Sequence, residues 1–128
     1  MVKGGIPINK LNYQLSLKLS REAVILSPEI VALMQLVQTE GSITIAARKM
    51  GFSYNKAWRL LHQAEAALSK PLIVSNSGGA SGGGSNLTLE GQILMDKYLQ
   101  LQNLVTAAAD HYFQTIFKET AITGGVKK

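Results

Sequence analysis

Apolar and polar residues alternate near the start of the chain. Between Leu11 and Leu19 every odd position is apolar, and a polar residue stands at each position between them. A period of two is the spacing of a strand that buries one face. The pattern therefore predicts a half-buried β-strand over residues 11–19.

The spacing then becomes helical. Ser27 and Pro28 have the residue types favoured at an N-cap and at the first helical position. Apolar residues recur at intervals of three and four until Gly41, namely at Ile30, Leu33, Met34 and Val37. These features predict a first helix over about residues 28–40.

Two further helices follow, separated by a short turn. Ser42 is the expected N-cap of a helix over about residues 43–50, and Gly51 supports the turn that ends it. Ser53 caps the next helix, which runs to about Leu68, before Lys70 and Pro71. The pattern predicts a helix, a tight turn and a second helix.

The following segment, residues 72–89, predicts a β-hairpin, which we call the wing. Residues 72–74 and 87–89 have extended patterns, and residues 75–86 are all Gly, Ser, Ala or Asn. Such a composition also suits an interdomain linker. Too little chain follows for another domain, so we expect a hairpin with a long flexible tip.

A long helix is predicted from about Glu90 to Thr120. Six positions spaced by four and three form a coiled-coil seam: Leu94, Tyr98, Leu101, Val105, Ala108 and Tyr112. The alternative is a single amphipathic helix folded back on its own domain. Because about 30 helical residues extend roughly 45 Å, longer than the small domain before them, we expect a second chain to cover the seam.

The two helices over residues 43–68 have the features of a helix-turn-helix. Small Ala46 and Ala47 permit close approach of the helices. Four residues are expected to point inward: Met50, Phe52, Ala57 and Leu60. The remaining positions of the later helix are expected to face outward: Ser53, Tyr54, Asn55, Lys56, Trp58, Arg59 and His62. Their hydroxyl, amide, aromatic and guanidinium groups suit base edges and phosphates.

Charge supports a polyanionic partner. The 128-residue chain has a formal net charge of +5. The segment 43–70 holds five basic residues and a single acid, Glu65; the basic residues are Arg48, Lys49, Lys56, Arg59 and Lys70. This concentration favours DNA binding by the motif. Individual members have other interpretations, because Trp58 could pack against the wing, and His62 and Arg48 could be ordinary solvated residues.

Several classes of function lack support in the sequence. The chain has no Cys and two His, at positions 62 and 111, so no disulfide, metal site or cofactor is expected. No nucleophile and base pattern is recognisable, and GGASGGGS lacks the Lys of a phosphate-binding loop, so an enzyme is not expected. No apolar run has the length of a signal peptide or of a membrane span, and we expect a cytoplasmic protein.

The run GSITIAARKMGFSYNKAWRLLHQAEAAL, followed by GGASGGG and NLTLEGQ, resembles the N-terminal domain of the molybdate-dependent transcription regulators, the ModE family. The preceding NYQLSLKL and LSPE also resemble this family, so the similarity covers about residues 10–120. The arrangement is more distantly similar to LysR-type regulators.

The resemblance implies a mostly α fold with a small β component: a winged helix-turn-helix over residues 1–89 and a long dimerisation helix with a short tail over residues 90–128. It implies a homodimer on a palindromic DNA operator. The matching positions for DNA contact are Ser42, Thr44, Ser53, Tyr54, Asn55, Lys56, Arg59 and, in the wing, Ser77, Gly78, Gly79, Gly82, Gly83 and Gly84. Arg48 and Lys49 join them as the basic residues of the earlier helix.

Two departures from the family qualify these expectations. In the family, molybdate binds to additional C-terminal β domains, and the sequence ends at Lys128, so we expect no molybdate binding by this chain. Relatives commonly carry Lys or Arg in the wing, whereas residues 71–89 are uncharged here. An alternative function is a winged-helix module that binds another protein without sequence-specific DNA binding; a basic face covered in the dimer would favour it.

Overall fold

A computed structural model of the chain describes residues 10–76 and 84–117. Their helices and strands follow in the order β1 (Leu19–Arg21), β2 (Ala23–Leu26), α1 (Pro28–Glu40), α2 (Ile43–Met50), α3 (Tyr54–Leu68), β3 (Ile73–Asn76), β4 (Gly84–Leu87) and α4 (Leu89–Ile116). The chain divides into two compact units. The larger is Ser16–Leu99, and the smaller contains, of the described residues, 10–15 and 100–117. The predicted fold class is confirmed: the described residues are mostly helical and contain two small antiparallel sheets.

The first three helices begin where the sequence predicts. The hydroxyl oxygens of Ser27, Ser42 and Ser53 each accept a hydrogen bond from the backbone N–H three residues later, at 3.2, 3.1 and 3.1 Å. Gly41 and Gly51 end α1 and α2 with φ of 70° and 75°, a left-handed conformation that glycine adopts without a Cβ penalty. These local signals explain why the predicted bounds of the three helices are confirmed.

The predicted strand over residues 11–19 is wrong. Residues 11–18 have no regular secondary structure, and the first strand begins at Leu19. Glu22, with φ of 68°, turns the chain so that β1 pairs with β2 in antiparallel fashion. Leu11, Tyr13 and Leu17 are half-buried, but Leu15 is 49% exposed, so the apolar positions of this segment are only partly covered. A strand needs a hydrogen-bonded partner as well as alternation.

The core of the larger unit joins β2, α1, α2, α3 and the start of α4. Its largest fully buried side chains are Leu26, Leu33, Met34, Val37, Leu61, Leu72 and Tyr98. Ala46 and Ala47 are 0% and 2% exposed, so the predicted close approach of α2 is confirmed. Of the residues predicted to point inward, Ala57 is buried and Met50, Phe52 and Leu60 are partly buried against the core. The sequence interpretation missed Leu61, which is 0% exposed.

The wing is a hairpin, as predicted, and the linker interpretation is wrong. Strands β3 and β4 pair in antiparallel register from Ile73 opposite Leu87 to Asn76 opposite Gly84. The backbone N–H of Ser85 donates to the carbonyl oxygen of Gly41 at 2.9 Å. This bond attaches the wing to the turn between α1 and α2.

The first turns of α4 pack within the larger unit. Thr88 caps the helix, since its hydroxyl oxygen accepts from the N–H of Gly91 at 2.9 Å. Met95 and Tyr98 are 2% and 1% exposed, and the Tyr98 hydroxyl donates to the carbonyl oxygen of Leu17 at 2.8 Å. The assignment of Tyr98 to an intersubunit seam therefore needs correction, because its own chain already covers the ring and binds the hydroxyl.

The later turns of α4 show two different sides. The hydroxyl of Tyr13 donates to the carboxylate of Asp110, and its ring lies 5.0 Å from that of Phe113. Elsewhere along residues 100–117, five large apolar side chains are 40–64% exposed: Leu101, Leu104, Tyr112, Ile116 and Phe117. Steps of three, eight and four place the first four on one stripe of the helix. We call these four the apolar stripe.

Candidate nucleic-acid interface

Helix α3 has one buried face and one polar, exposed face. Ala57, Leu61 and Ala64 point into the core and are 0% exposed. The exposed side carries five residues that the sequence placed outward: Ser53, Tyr54, Asn55, Trp58 and Arg59. The helix therefore presents hydroxyl, amide, indole and guanidinium groups to the outside while its alanines allow close packing beneath.

The serines at the starts of α2 and α3 have a structural role. The oxygens of Ser42 and Ser53 accept the capping bonds described above, and their hydroxyl hydrogens can still be donated. Ser42 is half-buried, whereas Thr44 and Ser53 are exposed. Capping and phosphate contact are therefore compatible at both serines.

The four basic residues of the motif have different surroundings. Arg48 and Arg59 are exposed. The Lys49 ammonium forms an ion pair with Glu40 at 2.8 Å, and that of Lys56 lies 4.1 Å from the centre of the Phe52 ring. Among residues 10–76 and 84–117, no carboxylate lies within ion-pair distance of Arg48 or Arg59, which leaves both guanidinium groups available.

Trp58 and His62 form a stacked pair on the outer side of α3. Their ring centroids are 3.7 Å apart with planes inclined by 17°. Trp58 remains 45% exposed. The Trp58 side chain thus belongs to the candidate surface and is not fully buried against the wing.

The sequence interpretation missed the role of Glu65. One carboxylate oxygen accepts from the backbone N–H groups of Leu72 and Ile73, at 2.8 and 3.0 Å. The other lies 3.6 Å from Nε2 of His62. Glu65 therefore links α3 to the base of the wing. Its position as the single acid among the basic residues of the motif is the sequence signal that could have drawn attention to it.

Of the six predicted wing contacts, one lies within the described residues. Ser77, Gly78, Gly79, Gly82 and Gly83 lie outside the described residues. Gly84 is the first residue of β4 and pairs with Asn76. The wing's approach to DNA therefore stays a prediction.

Two further searches covered residues 10–76 and 84–117. No helix there is long and apolar enough to cross a membrane. The same residues contain no cluster of three or more His, Asp or Glu side chains suited to a metal ion.

Helix α2, the Gly51 turn and α3 are followed along the chain by the hairpin β3–β4. Comparison with known proteins defines the family of the chain. The chain is 34% identical over 106 residues to the transcriptional regulator ModE of Haemophilus influenzae. The aligned region is 83% of this chain and 40% of that protein. This chain carries a ModE-family domain.

Other relatives agree with this assignment. The DNA-binding transcriptional dual regulator ModE of Escherichia coli is 31% identical over 75% of this chain and 36% of its own length. The molybdenum-pterin-binding protein MopB of Rhodobacter capsulatus is 36% identical over 62% of this chain and 30% of its own length. The chain thus spans less than half the length of these relatives. No protein-family model matches it.

Proposed function

We propose that the chain is a sequence-specific, double-stranded DNA-binding transcription regulator with a winged helix-turn-helix. The observation that carries the proposal is the outer face of α3, where Tyr54, Asn55 and Arg59 are exposed above a tightly packed alanine face. A recognition helix requires this division, because its inner side must pack closely while its outer side offers donors and acceptors to the major groove. The proposal places this activity in the cytoplasm.

The contacts to DNA fall into two groups. Asn55 and Arg59 have side chains that form bidentate pairs with adenine and guanine. Ser42, Thr44, Arg48, Lys49, Ser53, Tyr54 and Lys56 supply hydroxyl and cationic groups that suit phosphates. The wing, from Ser77 to Gly84, contributes backbone N–H groups to the adjacent phosphates.

The regulator acts as a homodimer through the later turns of α4. The apolar stripe supports this, since four large side chains left 41–64% exposed would be covered by a second copy. Val105 and Ala108 lie along the same side of the helix and complete the contact. A two-fold dimer implies an operator of two inverted half-sites. The proposal concerns DNA binding and assigns no molybdate site to the chain.

Selection of bound duplexes from a random DNA library tests the proposal. We expect enrichment of one inverted repeat, and gel-shift titration should then give tight binding of that duplex. Recovery of no preferred sequence would contradict the proposal and favour the alternative, a winged-helix module that binds another protein. A basic face covered in the dimer would also favour that alternative.

A further inference from the structure

The stacked pair on α3 holds an exposed indole in a fixed orientation. Trp58 is the sole Trp of the chain and is 45% exposed, although an indole buries most of its surface in typical folds. Residues four apart on a helix are neighbours, and here the imidazole of His62 lies 3.7 Å from the indole, centroid to centroid. One face of Trp58 is therefore supported by His62.

The His62 ring is held by a hydrogen bond at one of its nitrogen atoms. Nδ1 lies 2.8 Å from the carbonyl oxygen of Trp58. Because a carbonyl oxygen only accepts, Nδ1 carries the hydrogen and donates it. Nε2 lies 3.6 Å from one oxygen of Glu65, which is longer than a hydrogen bond. The indole is thus supported by an imidazole that is itself anchored on the backbone of α3.

We infer that Trp58 reads the C5-methyl group of a thymine in the major groove, with His62 as the positioning residue. The inference rests on the proposed function, since it assumes that the outer face of α3 meets base edges. Among the four bases, thymine alone presents a methyl group on its major-groove edge. An indole that is already held in place can contact this methyl group with little further loss of side-chain freedom on binding. Asn55 and Arg59 serve the polar edges beside it.

Deoxyuridine substitution tests the contact without changing the protein. Each thymine of the selected duplex is replaced in turn by deoxyuridine, which removes the methyl group and preserves base pairing. We expect wild-type affinity to fall about fourfold at one position of each half-site, as for the loss of one buried methyl-sized group. In Trp58→Ala the same substitution should have no further effect. Asn55→Ala serves as the control and should retain the full effect at that position.

The positioning role has a separate readout. His62→Ala removes the support of the indole and should shrink the deoxyuridine effect, whereas His62→Phe, which restores a stacked ring, should recover it. Emission from the sole Trp should change in His62→Ala at a melting temperature close to that of the wild type. A full deoxyuridine effect in His62→Ala would overturn the positioning role.

Other outcomes overturn the inference while leaving DNA binding intact. One is tight binding of the selected duplex with no position sensitive to loss of the methyl group. A second is a position at which Trp58→Ala shows the same deoxyuridine effect as the wild type. A third is an equal loss of affinity for the selected and the shuffled duplex in Trp58→Ala, which would make the indole a contact to the DNA backbone. Trp58→Gln, which removes the ring and keeps a good helix former, provides a second variant if Trp58→Ala fails to fold. Recovery of no preferred duplex would overturn the proposed function as well, and that result is distinct.

Discussion

Arg48 and Lys49 are neighbours at the end of α2, yet their electrostatic surroundings differ. Lys49 is paired with Glu40 at 2.8 Å, whereas Arg48 has no ion-pair partner among residues 10–76 and 84–117. The DNA-binding constant K falls as salt rises, and Arg48→Ala should make the slope of log K against log salt less steep by about 0.9, as for one counterion fewer released. Lys49→Ala should reduce the steepness less, because Glu40 already offsets part of the charge. Binding titrations over a range of salt concentrations measure both slopes, and equal reductions would contradict this difference.

Tyr98 connects the start of α4 to the segment before β1. The Tyr98→Phe variant loses the hydrogen bond to Leu17 and should be less stable near neutral pH by about 0.5–1.5 kcal/mol. Burial raises the pKa of Tyr98 above its ordinary value. The unfolded chain therefore loses the phenolic proton first, so stability from the neutral hydroxyl is present below about pH 10 and falls above it.

The deficit of Tyr98→Phe should thus narrow as the pH rises above about 10. Urea denaturation of both proteins at neutral and alkaline pH measures the difference. A constant deficit across this range would show that the hydroxyl titrates alike in the folded and unfolded chains.

Among the helices and strands, those fixed by contacts between nearby residues could be predicted from the sequence, and those that depend on a distant partner segment could not. The bounds of α1, α2 and α3 could be predicted because each cap is a contact between residues three apart, as for Ser53 and Lys56. The strand predicted over residues 11–19 failed because pairing depends on a partner segment, which alternation does not specify.

The same limit applies to the candidate site. The outward residues of α3 followed from helical period, since α3 faces a core through Ala57 and Ala64. Tyr98 fitted a heptad seam, but spacing alone does not distinguish a core in the same chain from one in a partner. The link from Glu65 to the wing joins residues seven and eight apart across a turn, which no helical or strand period encodes.

The junction between the wing and α4 depends on a close backbone approach at Gly91. A Cβ at this position would lie 2.5 Å from the carbonyl oxygen of Leu72. Gly91→Ala should therefore destabilise the domain by about 1–3 kcal/mol, although alanine favours a helix interior. Asn103→Ala, at an exposed position of the same helix, is the control and should be neutral or slightly stabilising. Thermal unfolding compares the two, and a stable Gly91→Ala would show that α4 moves away at little cost.

For the molecule as a whole, the proposed homodimer rests on the apolar stripe of α4. Leu101 is 41% exposed in the single chain and lies beyond the core of the larger unit. Leu101→Glu should give folded monomers, because an unpaired charge buried between two copies costs several kcal/mol while the core stays intact. Tight binding of the selected duplex should be lost with the dimer, since each half-site supplies part of the contact energy.

Asn103→Glu is the matched control, because two residues along a helix lead to the opposite side. It should remain dimeric and bind DNA. Sedimentation and gel shift report assembly and binding for both variants. A Leu101→Glu protein that is still dimeric would place the subunit contact elsewhere.

Discrimination between DNA sequences by the outer face of α3 can be measured as a ratio of two dissociation constants. The wild-type chain is titrated with the selected duplex and with a shuffled duplex of equal composition, at one physiological salt concentration. We expect a ratio of about a thousand or more, the lower range for specific regulators. Arg59→Ala should weaken the selected complex by about tenfold or more and the shuffled complex far less, because in our proposal the guanidinium contacts a guanine edge. A wild-type ratio near one, or equal losses on both duplexes in Arg59→Ala, would contradict base reading by this helix.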